Sequence, residues 1–201
     1  MRESMRQIQK LNTRKKIIET AYKIFSEKGF SVPSSIIAKE AGVSHGSIFA
    51  HFPTMNDLTV SLLSDFGDKI GASLHELAEK CDSVENLLKG HLRVLEEYEA
   101  FYFRLISEKS ILPKEAKYTF AVIQSTVSFH FSSVIEREIE KGTVKKLPTH
   151  MLYNTWLGLV HYYLMNKDIF SDSSESVIKK YGPELLSTYL KLIKNEKEVY
   201  E

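Results

Sequence analysis

Apolar residues recur every three or four positions along most of this chain, which is the spacing of one face of an α-helix. The first clear stretch begins at Thr13, and Lys28-Gly29 provides its stop, because glycine tolerates the left-handed conformation that ends many helices. No alternation of apolar and polar residues persists long enough to indicate a β-strand. The pattern therefore predicts an all-α fold. The apolar face of the first helix consists of Ile17, Ala21, Ile24 and Phe25.

Two short helices are predicted next, separated by a turn that contains Gly42. Pro33 suits the start of the first of them, whose apolar face consists of Ile37, Ala38 and Ala41. Ser44 can cap the second, which is predicted from His45 to Phe52. Ile48 and Phe52 face inward there. The positions predicted on its more exposed sides are His45, Gly46, Ser47 and His51. Two short helices joined in this way have the helix-turn-helix design.

The segments TRKKIIETAYKIFSEKGF (13–30) and IAKEAGVSHGSIFAHF (37–52) resemble the DNA-binding region of the tetracycline-repressor (TetR) family. The resemblance rests on residue types at fixed spacings through about a quarter of the chain. It implies a helix-turn-helix DNA-binding domain at 1–55 and a helical effector-binding and dimerisation domain at 56–201. The residues that carry it are Ala21, Phe25, Gly29, Phe30, Ile37, Ala38, Gly42, Val43, Gly46, Ile48, Phe49, His51 and Phe52.

A helix that enters the major groove needs small or polar residues at its tip, because a bulky apolar side chain prevents close approach of the backbone. The resemblance implies that the start of the third helix reads bases and that Ser34 and Ser35 contact DNA from the second. It also implies a sequence-independent phosphate contact from Lys15 or Lys16. The complete set of expected DNA-binding residues is Lys15, Lys16, Ser34, Ser35, Ser44, His45, Gly46, Ser47, Phe49 and His51.

Three positions depart from the family pattern. Relatives usually have a tyrosine at Phe49, whose hydroxyl contacts phosphate, and a further aromatic residue at Ala50. They often have a phosphate-binding lysine at Met55. We therefore expect recognition to depend mainly on Ser44, His45, Ser47 and His51.

Charge is unevenly distributed although the net charge of the chain is only +1. Residues 1–55 contain nine Lys or Arg against four Glu, a net charge of +5, and the remainder carries −4. The residues before the first predicted helix include Arg6 and Lys10, which form a basic arm that continues into Arg14, Lys15 and Lys16. Such an arm is either solvated or held against phosphates, and the adjacent helix-turn-helix favours the second interpretation.

Beyond Asn56 the helical spacing continues, and about nine helices are predicted in total. The later ones are predicted at 83–98, 99–110, 113–141, 149–167 and 175–196. The resemblance implies a homodimer formed through the last two helices, and an effector that tilts the fourth helix and so changes the separation of the recognition helices. The residues predicted at the dimer interface are Leu152, Trp156, Leu159, Val160 and Tyr163, followed by Leu185, Leu186, Tyr189, Leu190 and Ile193.

Aromatic residues are plentiful in this half, and most of them suit core packing. Members of the family enclose an effector among their later helices. The resemblance therefore implies a pocket, for which the candidate residues are Phe66, Phe120, Val127, His130 and Trp156. No charged residue lies plainly within the apolar faces, so we expect an apolar or amphipathic effector.

Other classes of protein lack support in the sequence. The single cysteine, Cys81, excludes an intrachain disulfide and a multi-cysteine zinc site, and it is interpreted as a small core residue. No apolar run approaches a membrane span and no signal segment is recognised, so a cytoplasmic location is expected. We expect no metal, no cofactor and no catalytic site. The alternative is a helical enzyme, or an adaptor that does not bind DNA, with a coincidental three-helix start.

Overall fold

The structure, a computed structural model, describes residues 2–80, 83–172 and 175–195. Within these ranges the chain forms ten α-helices and no β-strand, and one isolated bridge joins Val144 to Lys194. The all-α prediction is confirmed. The helices are α1 (Arg2–Lys28), α2 (Ser34–Ala41), α3 (His45–His51), α4 (Met55–Lys80), α5 (Val84–Glu97), α6 (Glu99–Ser107), α7 (Lys114–Glu140), α8 (Thr149–Met165), α9 (Lys167–Phe170) and α10 (Val177–Ile193), with a 3-10 helix at Lys109–Ile111.

The tenth helix is the short α9, which the sequence pattern did not separate from the end of α8. None of the described helices is long and apolar enough to cross a membrane. Cys81 lies outside the described residues.

The first helix is longer than predicted, because α1 begins at Arg2 and not at Thr13. Residues 2–12 contain no glycine or proline, and most of them have high helix propensity. The basic residues Arg6 and Lys10 therefore lie on a helix and not on a flexible arm.

The chain divides into two compact units. The first unit contains the chain up to Gly67 together with Ala100–Ala121, and the second contains Asp68–Glu99 and the chain from Val122 onward. These compact units do not follow the boundary after residue 55, because α6 and the start of α7 belong with the helix-turn-helix. The division into two functional domains stays a prediction.

The C-terminal end of α1 is held by two side chains. Arg104 belongs to α6, and Glu108 is the residue directly after that helix. The Arg104 guanidinium donates hydrogen bonds to the carbonyls of Glu27 (2.8 Å) and Ser26 (3.4 Å), which have no partner within their own helix. Arg104 also pairs with Glu108 at 2.9 Å, and the Glu108 carboxylate accepts the N–H of Phe30 at 2.8 Å. This Arg104–Glu108 pair satisfies backbone groups on both sides of the turn that leads from α1 towards α2.

Gly29 is required in this turn for two reasons. Its φ is +83°, a conformation that residues with a side chain rarely adopt. A Cβ at this position would also collide with the Glu108 carboxylate.

The core of the second unit is built around Trp156 of α8 and Tyr189 of α10, whose rings lie 5.3 Å apart. The Tyr189 hydroxyl donates to the carbonyl of Leu152 at 2.7 Å. The Trp156 indole N–H donates to Nδ1 of His91, on α5, at 3.1 Å. Each buried aromatic residue thus directs its polar atom to an acceptor inside the unit.

The N-terminus of α10 is capped from outside its own segment by Glu99. The Glu99 carboxylate accepts the N–H groups of Val177 and Ile178, each at 3.1 Å, and the hydroxyl of Ser176. A carboxylate at this position also interacts favourably with the dipole of the helix.

Most residues that were predicted at a dimer interface are interior residues of the second unit. They face inward because the apolar spacing of α8 and α10 marks the sides that pack within the chain. Leu159, Tyr163 and Leu190 remain partly exposed. The buried residues are Leu152, Trp156, Val160, Leu185, Leu186, Tyr189 and Ile193.

We predict that Arg104→Met lowers the free energy of unfolding by about 1–3 kcal/mol, because it leaves two helix-terminal carbonyls and the Glu108 carboxylate without their charged partner. Urea denaturation measures this change. The control is Arg93→Met, which makes the same substitution at an exposed position of α5 and should change stability by less than about 0.5 kcal/mol. Equal effects of the two substitutions would contradict the role of Arg104.

The second prediction concerns His91. Burial and, to a lesser extent, the charge of His161 lower the pKa of His91 to about 4, below its ordinary value of 6.5. The neutral ring therefore stabilises the fold fully above pH 6.5, and this contribution of about 3 kcal/mol is lost as the pH falls towards 4. His91→Asn keeps an acceptor for Trp156 but cannot titrate in this range.

Urea denaturation between pH 7 and pH 4 measures the effect. The wild-type chain should lose up to about 3 kcal/mol more stability over this range than His91→Asn. Parallel pH profiles for the two chains would show that His91 is not the titrating group.

Candidate nucleic-acid interface

The turn between α2 and α3 is fixed by backbone geometry. Gly42 has a φ of +61°, and its N–H donates to the carbonyl of Lys39 at 3.1 Å. The N–H of Val43 donates to the carbonyl of Ala38 at 3.0 Å. These two bonds are those of a Schellman motif, in which a left-handed glycine ends a helix. The glycine stop predicted at Gly42 is confirmed.

The start of α3 is capped by Ser44, whose hydroxyl oxygen accepts the N–H of Ser47 at 3.1 Å. Ile48 and Phe52 are buried as predicted, and they fix which side of α3 faces the core of the first unit. Ser44, His45, Gly46 and Phe49 are exposed, whereas Ser47 is half-buried.

Two of the expected DNA-binding residues are joined to each other. Ser34 Oγ, at the start of α2, lies 2.8 Å from Nε2 of His45, at the start of α3. The His45 ring also lies edge-on to Phe49, with 5.1 Å between ring centroids. These two contacts restrict the orientation of the imidazole. Nδ1 is then the His45 nitrogen that can bind a further partner.

Ser35 is exposed beside Ser34, and Lys15 and Lys16 are exposed on α1. Lys15 makes only a long ion pair with Glu19, 3.8 Å, in which both side chains are largely solvated. The Nζ of Lys16 lies 3.6 Å from the point that a Cβ on Gly42 would occupy. Lys16 therefore lies beside the turn of the helix-turn-helix.

His51 differs from the expectation that it lies on an exposed side of α3. It is half-buried, and its Nδ1 is buried without a hydrogen-bond partner. Burial lowers the pKa of His51, and the positive charges of Lys10 and Arg14 lower it further. The ring is thus disfavoured as a cation. The two positive charges that act on it come from α1, which the spacing within α3 does not indicate.

Arg14 is a structural residue that the sequence grouped with the basic arm. Its guanidinium lies 4.8 Å from the centroid of the Phe52 ring and donates to the hydroxyl of Ser61 at 3.2 Å. The side chain joins α1 to both α3 and α4. In the sequence, this role is indicated only by the helical spacing that places Arg14 on the same face of α1 as Ile17 and Ile18.

The start of α4 carries its own cap. Thr54 N–H and Thr54 Oγ1 both donate to Asp57 Oδ2, at 2.9 and 2.8 Å, and the N–H of Asp57 donates back to Thr54 Oγ1 at 3.1 Å. This capping box occupies the N–H groups of Thr54 and Asp57, and it adds a negative charge close to Met55. The negative charge disfavours a phosphate at this helix start.

The five candidate effector-binding residues fall into two groups. Phe66 and Phe120 are buried in the first unit, where they pack against Phe101 and Tyr102, respectively. The other three, Val127, His130 and Trp156, line a cavity of about 10 Å³ in the second unit. The remaining residues of its wall are Leu87, Leu88, His91, Phe131 and Tyr153. The described residues include no cluster of three His, Cys, Asp or Glu side chains suited to a metal ion.

Comparison with known proteins agrees with this geometry. A family model described as bacterial regulatory proteins of the tetR family matches residues 17–62. The uncharacterized HTH-type transcriptional regulator YuxN of Bacillus subtilis is 32% identical over 128 residues, which span 60% of this chain and 44% of YuxN. The HTH-type transcriptional repressor Rv3405c of Mycobacterium tuberculosis is 36% identical over 80 residues, 39% of this chain and 42% of the repressor. The chain thus spans less than half the length of these curated relatives.

Solved structures share the fold over a larger part of the chain. A TetR-family transcriptional regulator from Agrobacterium tumefaciens has a TM-score of 0.79 and 19% identity, covering 92% of this chain and 99% of its own. FadR of Bacillus subtilis, solved in complex with stearoyl-CoA, has a TM-score of 0.71 and 17% identity, covering 89% of this chain and 98% of its own. Residues 17–62 thus match the family model for tetR-type bacterial regulatory proteins, and the solved structures show that the larger part of the chain has the same fold.

Proposed function

We propose that this chain is a sequence-specific DNA-binding transcriptional regulator. In this proposal it represses transcription from a palindromic operator until a small apolar or amphipathic effector releases it, and it acts in the cytoplasm, where bacterial DNA lies. The observation that carries the proposal is the exposed N-terminal end of α3. Small polar side chains surround Gly46 there, while Ile48 and Phe52 anchor the opposite side of the helix.

Gly46 is informative because the fold of the chain does not require a glycine at this position. Its φ is not positive, and a Cβ added to it would meet no atom within 4 Å. Glycine in a helix is less stable than alanine by roughly 0.5–1 kcal/mol. A glycine that weakens its own helix and fills no tight contact is explained by close approach of another molecule, here the edges of bases in the major groove.

The neighbouring residues complete a surface suited to DNA. Ser35 and Ser44 are exposed hydroxyl groups that can donate to phosphate or base edges, and Lys16 lies beside the turn as a phosphate contact. The hydrogen bond between His45 and Ser34 limits the ring to few orientations, so less conformational entropy is lost when it binds a base. We assign His51 a positioning role for α3, because its ring is partly buried.

Repression and an amphipathic effector are supported by proteins of the same family or fold. One relative is named a transcriptional repressor, and FadR was solved in complex with stearoyl-CoA. The cavity in the second unit has an apolar wall without a lysine or arginine, which disfavours a strongly anionic group inside it.

A homodimer through α8 and α10 remains part of the proposal, but it uses the outward side of α8. Met151 (54% exposed), Tyr162 (59%) and Met165 (46%) lie on one face of that helix, together with the exposed Gly158. A small residue in the centre of such a face allows two helices to pack closely. A two-fold axis through this contact would match a palindromic operator.

Selection from a pool of random double-stranded DNA tests the proposed function. We expect enrichment of an inverted repeat by the purified chain, and weaker enrichment by His45→Ala, which removes an exposed side chain without affecting the core. Enrichment of no sequence would contradict DNA reading. Enrichment of a single half-site without a repeat would contradict the dimer.

Gly46→Ala tests the contact itself. Alanine should leave the thermal stability unchanged or slightly raised, because it favours the helix, yet it should weaken operator binding about tenfold, as expected for the loss of one base contact worth 1–3 kcal/mol. Fluorescence anisotropy with the selected DNA measures the affinity. The matched control is Gly71→Ala in α4, another helical glycine with open space around it, which should leave the affinity unchanged. Equal affinities of Gly46→Ala and the wild type would place Gly46 away from the DNA.

A further inference from the structure

A groove of about 650 Å³ lies on the surface of the second unit, apart from the small cavity described above. Its walls are the start of α5, α10 from Pro183 onward, and the end of α7 with the segment that follows it. None of its described lining residues belongs to the wall of the smaller cavity. Small-molecule sites commonly have volumes of about 300–1,000 Å³, so the groove has the size of a ligand site.

The floor of the groove is apolar. Val84 of α5, Val144 of the segment after α7, and Leu186 and Ile193 of α10 line the groove and are buried. Leu190, which also lines it, is partly exposed. Aliphatic side chains from three parts of the chain thus form one surface that suits an alkyl chain or a ring.

Backbone hydrogen bonds hold this floor in place. The N–H of Lys145 donates to the carbonyl of Ile193 at 2.8 Å, and the N–H of Asn195 donates to the carbonyl of Thr143 at 3.0 Å. The Asn195 side-chain amide donates to the carbonyl of Gly142 at 3.2 Å. These bonds join the segment after α7 to the end of α10. A groove that is formed in advance lowers the entropic cost of binding a ligand.

The two acidic side chains that line the groove already have partners. Glu85 pairs with Lys89 at 2.6 Å, one turn further along α5. The Glu138 carboxylate accepts the N–H of Val84 at 3.2 Å on one oxygen and the hydroxyl of Thr143 at 3.4 Å on the other. A cationic ligand would have to displace these partners before it could pair with either carboxylate.

Two lysines of the lining lack an acidic partner. Lys191 and Lys194 lie three residues apart at the end of α10, a spacing that places them on the same side of the helix, and both are exposed. Within the part of the chain that the structure describes, neither forms an ion pair. The groove thus combines an apolar floor with two ammonium groups on one wall.

We propose that this groove binds an amphipathic anion, a small molecule with an alkyl chain or ring and one carboxylate. The apolar part covers Val144, Leu186 and Leu190, and the carboxylate lies within reach of Lys191 and Lys194. Charge complementarity selects this class of ligand, because an uncharged molecule gains no ion pair from the lysines and a cation is repelled by them. The site goes beyond the proposed function, since it requires neither DNA nor the smaller cavity.

Three probes separate the two parts of such a ligand. Octanoate carries the alkyl chain and the carboxylate, octanamide has the same shape without the charge, and acetate has the charge without the chain. NMR titration of the isotope-labelled chain measures affinity and location together. The backbone amides of Val144 and Leu190 report the groove, and the indole N–H of Trp156, the only tryptophan, reports the smaller cavity.

Ser187 allows the groove to be blocked from outside the core, because it is exposed and lines the groove. Ser187→Phe places a large side chain there. Thr188→Phe is the matched control, since it makes a similar change at the next exposed position of α10, outside the lining.

A second pair of variants tests the charges. Lys191→Gln/Lys194→Gln removes both lysines of the groove and leaves its apolar floor intact. Lys179→Gln/Lys180→Gln removes two exposed lysines from the start of the same helix, outside the groove, and is the control.

The wild type should bind octanoate about three- to tenfold more tightly than octanamide, as expected for an exposed carboxylate beside two lysines. Acetate should show no saturable binding. Lys191→Gln/Lys194→Gln should remove the preference for octanoate, and Ser187→Phe should weaken octanoate binding at least about tenfold. Both controls should behave as the wild type.

Several results would overturn the proposal. Equal binding of octanoate and octanamide by the wild type would show that the lysines select no anion. Shifts confined to the Trp156 indole would place the ligand in the smaller cavity. Unchanged octanoate binding by Ser187→Phe, or no saturable binding of octanoate by the wild type, would show that the groove holds no such ligand.

Discussion

The geometry of the first unit depends on a charged pair from a distant part of the sequence. Arg104 binds carbonyls at the end of α1 that are 77 and 78 residues away, and Glu108 binds the N–H of Phe30 across a similar separation. Without these bonds the last turn of α1 would depend on water for its partners. Arg104 and Glu108 therefore fix the path from α1 to α2, and with it the orientation of the helix-turn-helix.

Local signals were sufficient to predict the helix-turn-helix itself. Gly42 and Ser44 are short-range features, because a left-handed glycine ends one helix and a serine hydroxyl caps the next within a few residues. The inward direction of Ile48 and Phe52 also follows from helical spacing alone. These predictions required no knowledge of the rest of the chain.

Residues whose surroundings come from other helices were predicted less well. Arg14 belongs to the core through Phe52 and Ser61, His51 is half-buried beside α1, and His91 is neutralised by burial. The apolar faces of α8 and α10 were assigned to a partner chain although they pack within their own unit. Periodicity identifies which side of a helix is apolar, but it does not identify what covers that side.

The polar side chains described in the two units differ in their exposure to water. In the first unit the backbone at the start of α3 is satisfied by Ser44, so the exposed hydroxyls and imidazole can be exchanged between water and DNA at little cost. In the second unit, the indole N–H of Trp156 and the hydroxyl of Tyr189 donate to acceptors inside the unit. Recognition of DNA would thus use groups that water already solvates, whereas the buried polar atoms of the second unit stabilise its core.

The first unit is formed by two separate stretches of the chain, and this affects how it folds during synthesis. Ala100–Ala121 is an integral part of it, so the helix-turn-helix cannot reach its final packing when Gly67 leaves the ribosome. At 5–20 residues per second, the missing segment follows roughly three to ten seconds later. During that interval the hydrophobic surfaces of α1 and α4 that later contact α6 are uncovered. The first unit therefore reaches its final packing only after more than half of the chain has been translated.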